Sequence, residues 1–192
     1  DRGENWDLAG TCETCGGIHT IVVPKNRPDE VWVASNNGIQ VSRDRGRTWS
    51  GNLLDDLNDP HTFGVAVDPD DSGVILAATQ QDGIYRTIDY GKTWTKSSDG
   101  LTVDQTHKVV FALSDPTIAF VTTHDGVFRT TDAGETWKRR STGLNYAFTT
   151  PIAIDPTDAD IVYEIRRKHT SALQSRPNLD CRLLLAKKNR RL

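Results

Sequence analysis

The chain contains no methionine, only three cysteines, no glycine after Gly143 and no tryptophan after Trp137. No apolar run approaches the roughly 18 residues of a membrane span, so no membrane span is expected. The N-terminus lacks the basic, apolar, small-residue order of a signal peptide, and it opens at Asp1 inside a repeated string. This reads as a processed, excised or incomplete product. The three cysteines cannot make a four-ligand structural zinc site: Cys12-Glu-Thr-Cys15 is the lone Cys-x-x-Cys, and Cys181 is distant. The pair admits a loop-closing disulfide in an exported protein, two free thiols, or metal or redox chemistry.

Positive charge is scarce over most of the chain. Residues 1–164 carry 14 Lys+Arg against 25 Asp+Glu, a net of −11, whereas residues 165–192 carry nine basic residues and one acid, a net of +8. An acidic body excludes nucleic acid as a partner, because phosphate binding requires a basic face.

What is present is a repeat. "SRDRGRTW" at 42–49 returns as "TIDYGKTW" at 87–94 and "TTDAGETW" at 130–137, and in worn form as "DRGENW" at 1–6. The aspartates Asp1, Asp44, Asp89 and Asp132 stand 43, 45 and 43 residues apart. Ahead of each string, "VWVASNNGIQVS", "VILAATQQDGIYRT" and "IAFVTTHDGVFRT" read as tight hairpins. Asn37-Gly38, Asp82-Gly83 and Asp125-Gly126 suit the positive φ angles of a type I′ turn. Shorter apolar runs upstream ("HTIVVP", "FGVAVDP", "KVVFALSDP", "PIAIDP") read as inner strands buried on both sides. Each string then turns the chain into a fourth, outer strand. Four antiparallel strands per unit of about 45 residues make a β-propeller blade, so the expected class is all-β, with about three and a half blades of a partial propeller.

The string itself has a structural explanation. Its aspartate can accept backbone N–H groups inside the turn, its glycine takes a conformation a Cβ would oppose, and its tryptophan packs on the blade. The structural set is Asp1, Gly3 and Trp6; Asp44, Gly46 and Trp49; Asp89, Gly91 and Trp94; and Asp132, Gly134 and Trp137. One catalytic site has no use for four copies of its residues.

Ser/Thr-x-Asp-x-Gly-x-Thr-Trp resembles the Asp-box, or BNR repeat, of sialidases, xyloglucanase-type glycoside hydrolases, sortilin-like receptor ectodomains and photosystem-assembly-factor-like propellers. The resemblance covers about residues 1–164. It implies that the boxes lie on the face away from any active or binding site, and that the protein works outside the cell or in the periplasm. The arginine triad and Arg-Ile-Pro signature of sialidases are absent.

Strand alternation puts the hairpin tips and the blade-to-blade loops on the opposite face from the boxes. Candidate binding residues there are His19, His61, His107, His124 and Gln81. Blades stack at about 10 Å, so equivalent positions on three blades meet only if they lean close to the axis; no metal is expected, and no cofactor. Asp55, Asp56, Asp59 and Asp104 are the acidic candidates for a glycosidase pair. The leading reading is a non-catalytic module that binds a glycan or protein through this loop face. The alternative is part of a glycoside hydrolase. The expected domain boundary lies at residue 164, where the repeat fails; residues 165–192 read as a basic tail outside the fold. Open blade edges should promote self-association. A four-bladed ring closed by the N-terminal strand is arithmetically allowed; a piece of a larger propeller is the preferred reading.

Overall fold

The computed structural model describes residues 4–55, 57, 59–141 and 152–164. Asp1, Gly3, Asp56 and the basic segment 165–192 lie outside the described residues.

Among the described residues thirteen strands form four sheets in chain order and no helix occurs, so no helix there is long and apolar enough to cross a membrane. The first sheet contains β1 (Ile18–Val22), β2 (Val31–Ser35) and β3 (Gly38–Ser42). The second contains β4 (Thr62–Val67), β5 (Ile75–Thr79), β6 (Ile84–Thr87) and β7 (Thr95–Lys96). The third contains β8 (Thr106–Phe111), β9 (Ala119–Thr123), β10 (Gly126–Thr130) and β11 (Lys138–Arg139), and the fourth β12 (Ile152–Ile154) and β13 (Val162–Glu164). All pairings within the sheets are antiparallel between chain neighbours. The first sheet's outer segment is too irregular to count as a strand, yet Ser50 N–H donates to Val41 O and Leu53 N–H to Ile39 O.

The apolar cores lie between sheets. Trp32, Ile39, Val65 and Ile75 fill the first junction, Leu76, Ile84, Val109 and Phe128 the second, and Ala112, Phe120 and Ile152 the third. Each sheet buries both faces only if it has a neighbour on each side. Among the described residues no sheet packs ahead of the first, and in β1 Ile18 and Ile21 are exposed, Ile21 at 62%. This corrects the expectation that every inner strand is buried on both sides. Trp6, expected to pack like the later box tryptophans, is instead 89% exposed.

The three boxes are superimposable hydrogen-bond circuits. In the first, Ser42 Oγ donates to Asp44 Oδ1 at 2.7 Å and accepts from Gly46 N–H, while Thr48 N–H and Oγ–H reach the two carboxylate oxygens at 2.8 and 2.6 Å. Thr87, Asp89, Gly91 and Thr93 repeat this pattern, as do Thr130, Asp132, Gly134 and Thr136. The glycines sit at φ between +78° and +91°, and the residue before each, Arg45, Tyr90 and Ala133, is also left-handed. The circuit thus holds one non-glycine residue per box in a conformation it would otherwise avoid.

The hairpin turns differ from the type I′ expectation. Ser35 pairs with Gly38 and Thr123 with Gly126, so the two-residue loops are Asn36-Asn37 and His124-Asp125. Only the glycines that follow them have positive φ, +97° and +116°. The reason is local: Ser35 Oγ, Thr79 Oγ1 and Thr123 Oγ1 accept the N–H of Asn37, Asp82 and Asp125, which keeps the tip residues at negative φ and leaves the positive-φ step to glycine.

Candidate functional site

Backbone hydrogen bonds fix the two ends of the blades. The tips bond to the entries of the inner strands: Asn36 N–H to Gly17 O, Gln80 N–H to His61 O, His124 N–H to Gln105 O. The boxes bond to the opposite loops, with Arg45 N–H on Asp29 O, Tyr90 N–H on Gly73 O and Ala133 N–H on Thr117 O. His19, His61, His107, His124 and Gln81 therefore sit at the end away from Asp44, Asp89 and Asp132.

At that end the inner strands repeat an irregularity. The register of β1 shifts between Ile18 and Thr20, that of β4 between Thr62 and Gly64, and that of β8 between Thr106 and Val109. A bulge re-aims the side chain it carries. Here it carries His19, Phe63 and His107, whose rings form one row: His19 to Phe63 at 4.8 Å edge-on, Phe63 to His107 at 5.5 Å, and His107 stacked on His124 at 4.8 Å. The row crosses three blades, with its end members His19 and His124 exposed and Phe63 and His107 half-buried.

A cation runs alongside. Lys108 follows His107 in β8, and its Nζ donates to Thr20 Oγ1 in β1 at 3.1 Å, while Thr20 Oγ1 donates to Phe63 O at 2.9 Å. This reach spans the second blade's inner strand at Gly64, where a Cβ would lie 2.9 Å from His107 O. Burial lowers the Lys108 pKa. Burial, aided by the charge of His124, pushes His107 down to about 4, so His107 stays neutral through the physiological range.

The remaining candidates stand apart from the row. His61 turns to Asp59, Nδ1 to Oδ1 at 2.6 Å, and the hydrogen bonds from its side chain and backbone lower the Asp59 pKa. Gln81 is exposed at its tip. Asp104 lies 3.2 Å from Lys96 Nζ, and Asp55 is exposed. Among the described residues no group of three His, Cys, Asp or Glu could hold a metal ion. Cys12 and Cys15 form a disulfide. Their loop braces the first tip: Asn37 Nδ2 donates to Thr14 O at 3.0 Å, and His19 Nε2 lies 2.6 Å from Asn36 Oδ1. Sequence reasoning missed Phe63. Its place one residue into β4, as His19 and His107 are in β1 and β8, is the signal that would have found it.

Four-stranded antiparallel sheets in chain order, with Asp-box turns at one end, define a segment of an Asp-box β-propeller. The family model described as "Sortilin, neurotensin receptor 3" matches residues 82–187, and the chain belongs to this Sortilin-Vps10 family. It is also similar to xyloglucanase Xgh74A of Acetivibrio thermocellus, 28% identical over 102 residues that cover 42% of this chain and 12% of that protein. Among solved structures it resembles an ancestral GH74 enzyme, with TM-score 0.69, 18% identity, and coverage of 85% of this chain and 23% of the other. It also resembles YCF48 bound to D1 peptide, with TM-score 0.56, 16% identity, and coverage of 82% and 54%. At these identities the structural matches show the fold alone, and the chain spans only a small part of the xyloglucanase.

Proposed function

We propose that this propeller segment binds an extended polymer, a glycan chain or a peptide strand, along the row His19, Phe63, His107 and His124. The observation that carries this reading is the row itself: rings from three blades in continuous contact at the end away from the boxes. Rings with exposed edges and polar atoms suit a ligand with alternating apolar and hydrogen-bonding surfaces. The similarity to a xyloglucanase supports a glycan, and the likeness to YCF48, solved with a peptide, supports a peptide strand. Xyloglucan oligosaccharides and a panel of extended peptides, titrated against the chain and against Phe63→Ala, His107→Ala and Asp132→Ala, test it. Loss of binding in the first two variants, with binding per folded molecule intact in the third, is expected. Equal loss in all three would refute the site.

The second reading, part of a glycoside hydrolase, rests on the xyloglucanase relative. A glycosidase needs one carboxyl held protonated. Asp59 is held the other way by His61, and Asp104 faces Lys96. Xyloglucan hydrolysis that Asp55→Asn, Asp59→Asn or Asp104→Asn abolishes would favour this reading over the first.

A further inference from the structure

The ring row has a cation beside it that lacks a counter-charge. Lys108 is half-buried in β8, and its Nζ reaches Thr20 Oγ1 in β1, two blades away, at 3.1 Å. Thr20 Oγ1 donates its own proton to Phe63 O at 2.9 Å, so it meets the ammonium as a lone pair. An ammonium has three N–H donors, and a single hydroxyl oxygen takes one of them. Among the described residues no carboxylate lies within ion-pair distance of Lys108, whereas two other cations at this end are paired. Lys96 Nζ lies 3.2 Å from Asp104, and Arg139 Nη2 lies 3.0 Å from Asp125.

A charge partly withdrawn from water and met only by a neutral oxygen is costly to hold, and an anion brought beside it offsets that cost. Burial lowers the Lys108 pKa, as such a setting requires. Residues 1–164 carry 14 basic groups against 25 acidic ones, so the body of the chain does not draw an anionic polymer in from a distance. Selection for an anion rests on the local contact.

The row also sets a spacing. Its ring centroids are 4.8, 5.5 and 4.8 Å apart. Side chains on one face of an extended peptide recur every two residues, about 6.6 Å, which overshoots each step. One sugar residue of an extended β-linked chain is about as long as a step, and its C–H face packs on a ring. A carboxyl carried on such a sugar projects sideways from the chain, toward an ammonium that stands beside the row.

We propose that the polymer on the row is a uronate-bearing glycan, with sugar rings on Phe63 and His107 and a carboxylate on the remaining N–H groups of Lys108. This rests on the row as the binding site and adds the charge of its ligand. A hydrogen bond between two ionised groups is about twice as strong as a neutral one, so the ammonium separates a uronate from a neutral sugar that offers a hydroxyl in the same place.

Oligomers of β-1,4-linked glucuronate and the matching cello-oligosaccharides, which carry a hydroxymethyl in place of each carboxylate, serve as probes against the intact chain at low ionic strength. The uronate oligomer should bind at least tenfold tighter. The Lys108 ammonium resonance should shift with it and stay in place with the neutral one. Lys108→Met keeps the stem without the charge and should abolish the preference. Lys96→Met, at a cation already held by Asp104, should leave the preference in place, and Phe63→Ala should weaken both oligomers. Equal affinity for the two oligomers would overturn the carboxylate contact while the row stands as a glycan site. A preference that survives Lys108→Met, or an unmoved ammonium resonance, would overturn it too. An extended glutamate-containing peptide that binds where neither oligomer does would assign the row to a peptide strand instead, and binding of none of the three would remove the row itself.

Discussion

The indole N–H of Trp137 donates to Ser97 O at 2.9 Å, and so ties the third box to the outer strand of the second blade. Trp94, in the same box position, has a buried Nε1 with no acceptor among the described residues, and Trp49 turns back to Gly46 O within its own box. Three copies of one motif thus place the same atom in three environments. Trp137→Phe should cost about 1–2 kcal/mol, because it leaves a carbonyl unpaired at a blade junction. Trp94→Phe should cost less than about 0.5 kcal/mol, since no bond is lost there. Urea melts of the two variants would decide, and equal losses would count against the assignment.

The box glycines separate two costs. Gly46→Ala and Gly134→Ala both force a Cβ into the left-handed region, at φ +87° and +91°, for about 1 kcal/mol. At Gly46 nothing lies closer than 3.8 Å to the new atom, whereas at Gly134 it meets Leu76 at 2.5 Å. Gly134→Ala should therefore lose a further 1–3 kcal/mol or so from overpacking. Thermal melts that rank the two the other way would mean that the second and third blades separate more easily than their packing implies.

The repeat, the all-β class and the end of the blade that carries the boxes were legible in the sequence, because turn chemistry is local: Asp89 bonds residues within four positions of itself. The ring row was only half legible. Histidine drew attention to His19 and His107, but the property that unites the row is a strand position, so Phe63 went unnoticed and His61, which looks equivalent, belongs instead to a turn with Asp59. The hydrogen bond from Arg86 Nε to Ala133 O was not legible at all, since the two residues are 47 positions apart and meet only when blades stack. The exposure of Trp6 was hidden for a similar reason: its string matches a box, but packing needs a partner surface that local sequence does not show.

Acid should unfold the protein in two stages of different origin. His107 is held at about 4, below its ordinary 6.5, mainly by burial. The unfolded chain therefore takes up a proton first, and stability falls as pH drops from about 6.5 toward 4. Asp44 is held at about 2, first by the Thr48 hydroxyl, and Asp89 at about 2, first by the Thr93 N–H. Their contribution is complete above about 4 and is lost as pH falls through 2. His107→Gln should flatten the first stage and leave the second in place. Denaturant midpoints measured at pH 7, 5 and 3 would show it; an unchanged slope between 7 and 5 in the variant would remove His107 from the account.

The disulfide should act on the site more than on the fold. Cys12 and Cys15 are three residues apart, and chain entropy assigns so short a loop at most about 2 kcal/mol. The loop it closes carries Thr14, which holds Asn37, and leads to Gly17, which accepts Asn36 N–H; Asn36 in turn meets His19. His124, at the other end of the row, sits on the third blade's hairpin tip, where its N–H donates to Gln105 O. On adding reductant, or in the Cys12→Ser, Cys15→Ser double variant, the ring resonances of His19 should move while those of His124 stay in place. The melting temperature should fall only modestly. Affinity for a polymer lying on the row should drop through the His19 end, and Asn36→Ala should reproduce that drop with the disulfide intact. A double variant that melts cooperatively far below the parent, with both histidines shifted together, would instead make the disulfide a support of the whole first blade.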